Sequence, residues 1–214
     1  IEIIADAPAE DRLSILAFNL RAGDSYLHPR FVVRLLNDLF GIQSRAGCSC
    51  AGPYGHRLLH IDIETSERYR SMIRRGDEGI KPGWVRLNFH YLIDDDEFDF
   101  LLSAIEFVAR YGELFLQEYR FDLHSGAWVH RQEPELEPEL EPEKATDRVP
   151  AFGISAPVPE TPAVDEDELP ILRRRYLEEA LVRASQLKDS FVPEELHRTP
   201  NELIPFSYLS TVSS

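Results

Sequence analysis

Cysteine, lysine and long apolar runs are all scarce in this chain. Its two cysteines, Cys48 and Cys50, are one residue apart, where a disulfide would be strained and would close almost no loop. A disulfide-stapled secreted scaffold is thereby excluded, and the expectation is the cytoplasm or another reducing compartment. No run of about 18 apolar residues occurs, so nothing reads as a membrane-crossing helix. The start lacks the charged segment, apolar run and small-residue cleavage site of a signal peptide. Cationic residues are also outnumbered, with 23 Lys and Arg against 38 Asp and Glu and a formal charge of −15. Such a balance repels phosphate backbones and argues against nucleic acid as the main partner. The chain opens at Ile1 and its one methionine is Met72, which reads as a piece of a longer protein or a missing start.

The rest is ample for a core: 43% of the 214 residues are hydrophobic, near the globular average. Residues 12–20 form an apolar run suited to a buried strand. His28-Pro29 opens a helical pattern through Phe31, Val32, Leu35, Leu36, Leu39 and Phe40, with Gly41 where a C-terminal cap belongs. A brief strand over 42–46 leads into the turn-prone stretch 47–53. Short helices are expected over 56–60 and 63–75. Residues 84–90 alternate, with Val85, Leu87 and Phe89 facing in and Trp84, Arg86, Asn88 and His90 on the polar side. Asp94 to Glu97 begin a helix expected to run to about Tyr119. Residues 120–123 and 127–131 read as a hairpin.

From Glu133 the composition changes. Three Glu-Pro-Glu units follow one another over 133–144, and residues 131–170 hold 12 acids, 3 bases and 8 of the 15 prolines. Mutual repulsion and missing amide donors oppose a packed core there. The division expected is a folded domain over 1–130, an acidic linker over 131–168, an amphipathic helix over 169–189 and a polar tail over 190–214. The helix would bury Leu172, Leu177, Ala180, Leu181, Ala184 and Leu187 on one face. The linker and this helix could together recruit a protein partner.

Three clusters could carry chemistry. Cys48 and Cys50 lie on a glycine-bordered turn near Arg45, which would lower a thiol's pKa toward the reactive thiolate; alternatively they are small loop-filling residues. Arg86 on a rigid strand could capture a carboxylate through both arms of its guanidinium, or make an ordinary salt bridge. Cys48, Cys50, His56 and His60 have donors suited to zinc or copper, although Cys-x-Cys is not the usual structural zinc spacing. Arg68, Arg70, Arg74 and Arg75 read as a solvated helix face, with phosphate binding as the other reading.

The segments Phe18-Asn19-Leu20, His28-Pro29, Arg45-Ala46-Gly47, Cys50-Ala51, Pro53 and Trp84-Val85-Arg86, in this order, resemble the C-terminal domain of class V aminotransferase-fold enzymes. The likeness is greatest to cysteine desulfurases of the selenocysteine-lyase type and covers roughly residues 10–118. It implies an α+β fold, the small domain of fold-type I pyridoxal-phosphate enzymes, with a short and mostly antiparallel sheet covered by helices on one face. It further implies a homodimer, a small amino-acid substrate, and pyridoxal phosphate held by a lysine. By position, Cys50 resembles the cysteine that takes the substrate's sulfur as a persulfide. Arg86 resembles the residue that holds the substrate carboxylate, and Arg45 its neighbour at the mouth of the site. The three lysines, Lys81, Lys144 and Lys188, do not match the family's cofactor lysine. The resemblance therefore implies a fragment, inactive alone and completed by a large domain. The alternative is an inactive scaffold of the same fold.

Overall fold

The computed structural model describes residues 1–5, 7–47, 52–133, 166–192, 196–198 and 206–209. In chain order the elements are β1 (Glu2–Ile3), β2 (Ile15–Asn19), β3 (Arg21–Ala22), β4 (Ser25–Tyr26), α1 (Pro29–Phe40) and β5 (Arg45–Gly47). There follow α2 (Gly52–Leu58), α3 (Ile63–Arg74), β6 (Trp84–Asn88), α4 (Asp95–Tyr111), β7 (Tyr119–Asp122) and β8 (Ala127–His130). The last are α5 (Leu169–Ser190), β9 (Leu196–Arg198) and β10 (Ser207–Leu209). The chain is thus a mixed α and β fold with small antiparallel sheets.

The main sheet has the order β1-β2-β6-β5. Leu16 pairs with Leu87, and Phe18 with Val85. These four side chains share one face and join the core with Phe31, Val32, Leu35 and Leu36 of α1 and with Ala104, Ile105 and Val108 of α4. Fully burying side chains of this size gives about 1.5–3 kcal/mol each, so this layer supplies much of the driving force for folding.

Local signals explain the helix ends. His28 caps α1 through Nδ1, which accepts the Arg30 N–H at 3.1 Å, and Pro29 tolerates the first turn because no donor is needed there. Gly41 closes α1 in the left-handed region at φ 67°, a conformation that costs glycine little. Asp94 caps α4 by accepting the Glu97 N–H at 2.6 Å. The expected helix to Tyr119 ends earlier, at Tyr111, and tightens into a 3₁₀ segment over Gly112–Glu118. Tyr111, at φ −123° and ψ −7°, departs from helical geometry, and Gly112 beside it is packed so closely that a Cβ there would lie 2.7 Å from Leu27 Cδ1.

The C-terminal helix belongs to this same core. Ala180, Ala184 and Leu187 of α5 are buried within it, and the Leu187 carbonyl accepts from the Gln117 amide at 3.1 Å. Arg183 forms an ion pair with Glu118. The buried stripe is narrower than the sequence pattern, since Leu181 is 48% exposed. Within the stretch read as a polar tail, Phe206 is buried and packs edge-on against His28, with ring centroids 4.5 Å apart.

Candidate functional site

The face of the main sheet turned away from α1 and α4 carries the residues of interest. Register puts Arg45 directly opposite Arg86 and Gly47 opposite Trp84. On its other side Arg86 lies opposite Ala17 of β2. Partners in antiparallel register share a face, so Arg45 and Arg86 leave the sheet on the same side, flanked by Ala17 and Gly47, the smallest residues available. Like charges directly opposite one another are unfavourable in a sheet; Arg86 is not without a partner, and an anion bound by both residues would be attracted to each. Arg45 is exposed and Arg86 half-buried, so the pair combines access with partial shielding from water, where charge-assisted hydrogen bonds strengthen.

The only acid among the described strand residues on this face is Glu2, opposite Asn19. It accepts from the Arg21 guanidinium at 2.9 Å and from the Tyr26 hydroxyl at 2.9 Å. The Arg21 bond first, and then that of Tyr26, hold its carboxyl below the usual range. Glu2 is therefore already engaged elsewhere. No ion pair to Arg45 is formed among the described residues.

Two neighbours position the arginine strand. Asn19 is buried, and the amide orientation that satisfies both of its polar atoms has the nitrogen donating to the Gly83 carbonyl at 3.3 Å and to the Phe18 carbonyl at 3.2 Å. That contact ties β2 to the Pro82-Gly83 turn from which β6 starts. Trp84 does share the face of Arg86, as the alternation requires, but it is only 6% exposed, so this part of the face is covered rather than solvated. Gly47, at φ 126°, occupies a conformation that disfavours other residues as the chain leaves β5. Cys48 and Cys50 lie outside the described residues, which resume at Gly52.

The other sequence candidates behave as follows. Among the described residues no group of three His, Cys, Asp or Glu could hold a metal ion, and His56 shares a hydrogen bond of 2.9 Å with Ser66 Oγ through Nδ1. The arginine-rich helix α3 is laced by Arg68–Glu64 and Arg70–Glu67 ion pairs at 3.0 and 3.1 Å, which fits its reading as a solvated face. No helix among the described residues is long and apolar enough to cross a membrane.

His28 was legible as part of a motif, but its setting was not. It is 3% exposed, and Nε2 donates to the Gly79 carbonyl at 2.8 Å while Nδ1 accepts from Arg30. Both ring nitrogens are satisfied in the neutral tautomer. Burial then pushes its pKa down to about 4, because desolvation penalises the charged form.

Comparison with protein-family models, curated proteins and solved structures finds no match to this chain.

Proposed function

We propose that residues 1–130 with α5 form the small, substrate-facing domain of a pyridoxal-phosphate-dependent class V enzyme, acting on a small amino acid in the manner of a cysteine desulfurase. The observation that carries this reading is the register of Arg45 opposite Arg86, two cationic residues on one sheet face beside small residues. A guanidinium on a rigid strand presents a fork that matches a carboxylate and needs little reorganisation to bind it.

Arg86 clamps the substrate carboxylate, and Arg45 adds a second positive charge from the exposed side. Cys50 supplies the thiol. Its sulfur takes the sulfur of substrate cysteine: the carbon–sulfur bond breaks, a sulfur–sulfur bond forms, and alanine leaves. Carbon is reduced as sulfur is oxidised to the persulfide level, so no outside oxidant is needed. The cofactor, when bound, supplies an electron sink. The described residues do not fit the role of holding it. Lys81 pairs with Glu78 at 2.9 Å and Lys188 lies in the last turn of α5, and neither is on the strands bearing the arginines. No step through the cofactor is therefore assigned to the described residues, and Lys144 lies outside them; this reading leaves the holder to another part of the enzyme. In the assembled enzyme a homodimer is the expected state.

Titrating the 214-residue chain with L-alanine while following backbone amide signals tests the clamp. Millimolar L-alanine is expected to shift the amides of Ala17, Arg45 and Arg86, and its methyl ester, which lacks the carboxylate, is expected to leave them in place. Equal responses to acid and ester would contradict the assignment.

A further inference from the structure

The Glu-Pro repeats and the groove between α2 and α3 are two features this reading leaves without a role. The groove encloses about 820 Å³. Its floor is apolar: Ile61 and Ile73 pack against buried Tyr69 in a second, smaller core. Its rim is cationic, with Arg57 from α2 facing Arg70 and Arg74, which lie four residues apart on α3 and so share a helical face.

The two acids of the lining are engaged. Asp62 caps α3 by accepting the Thr65 N–H at 2.7 Å, and Glu67 holds Arg70 at 3.1 Å. Arg57 and Arg74 are exposed and form no ion pair among the described residues. A cationic rim above an apolar floor selects a ligand that alternates carboxylates with aliphatic side chains. A small inorganic anion would leave the floor empty.

Residues 133–143 have that composition: six glutamates, three prolines, and Leu136 and Leu140. Proline lowers the entropy lost when an extended peptide is captured. Glu133, where the described chain leaves β8, is itself ion-paired with Arg34 of α1. We propose that the α2–α3 groove binds the chain's own segment 135–143, with Arg57 and Arg74 on its glutamates and the Ile61–Tyr69–Ile73 floor taking Leu136 or Leu140. Tethering favours this occupant over one from another molecule. A segment on the same chain is present at a millimolar-range effective concentration, and from Glu133 the extended chain reaches roughly 10 Å to Leu136 and roughly 23 Å to Leu140.

The test uses a synthetic peptide of sequence Glu-Pro-Glu-Leu-Glu-Pro-Glu-Leu and two forms of the full chain. One is unaltered, and the other carries E135Q, E137Q, E139Q and E141Q. The peptide is expected to bind the substituted chain about tenfold more tightly than the unaltered one, because the native segment competes. Added salt should weaken this binding, and adding R57E and R74E, both at exposed sites, should abolish it while circular dichroism stays unchanged. Equal affinity for both chains would mean that the groove takes peptides only from other molecules, and would overturn the proposal. Absence of binding to either chain, or binding indifferent to R57E and R74E, would overturn it as well. None of these readouts depends on the amino-acid site.

Discussion

Arg86→Ala, made in a polypeptide that supplies the cofactor domain the proposed function requires, is expected to lower kcat/KM for a free amino acid by about 10- to 150-fold. That range follows from the roughly 1.5–3 kcal/mol carried by a hydrogen bond to a charged group. Since the carboxylate is present in both ground and transition states, most of the loss should fall on KM. Arg86→Lys should recover only part of it, because an ammonium keeps the charge but not the fork. Arg45→Ala should cost less than Arg86→Ala, since Arg45 is the exposed member of the pair and solvent screens its contribution. The effects of the two substitutions should not add, because both arginines face one ligand. Initial-rate measurements on the four variants check this. An Arg86→Ala enzyme with unaltered KM and kcat would remove the clamp.

Acidification is expected to weaken the fold through His28. Its folded-state pKa is depressed to about 4, against about 6.5 in an unfolded chain. Between these values the unfolded chain binds the proton and the folded chain does not, so stability falls as pH drops. The contribution is fully present above pH 6.5 and lost on approaching pH 4. The difference corresponds to about 3 kcal/mol. Cooperative damage should follow, since a proton on Nδ1 removes the acceptor of the Arg30 N–H and places a charge among Phe121, Trp128 and Phe206. Urea denaturation at several pH values between 4.5 and 7.5 measures it, with His28→Gln as the non-titrating reference. Carboxylates titrate in both proteins and cancel in the comparison. Identical pH slopes for the two proteins would show that His28 carries no linkage.

Local features of this fold could be read from the chain, and long-range ones could not. Pro29, the apolar spacing to Phe40, and Gly41 announce α1 because each acts within a few residues of itself. The same holds for Asp94 at the start of α4. The early end of that helix was hidden, because the apolar spacing continues past Tyr111, where the backbone leaves helical geometry. At the candidate site, Arg86 could be picked out as suited to a carboxylate and Arg45 as the neighbour of the thiols, but their direct opposition is a matter of register between strands separated by two helices. Burial of Trp84 was missed for a related reason: alternation assigns a face, while what covers that face comes from elsewhere in the chain. The stripe on α5 was nearly right, and Leu181 failed because α1 and α4 cover only a narrow band of it.

The central claim is tested most directly at Cys50. After brief exposure of the cofactor-loaded polypeptide to L-cysteine and trapping with an alkylating agent, the peptide spanning residues 46–57 is fragmented and weighed. One extra sulfur atom on Cys50, none on Cys48, and an equivalent amount of free alanine is the expected result. Alanine released with no sulfur gained at Cys50, or no alanine released at all, would contradict the account.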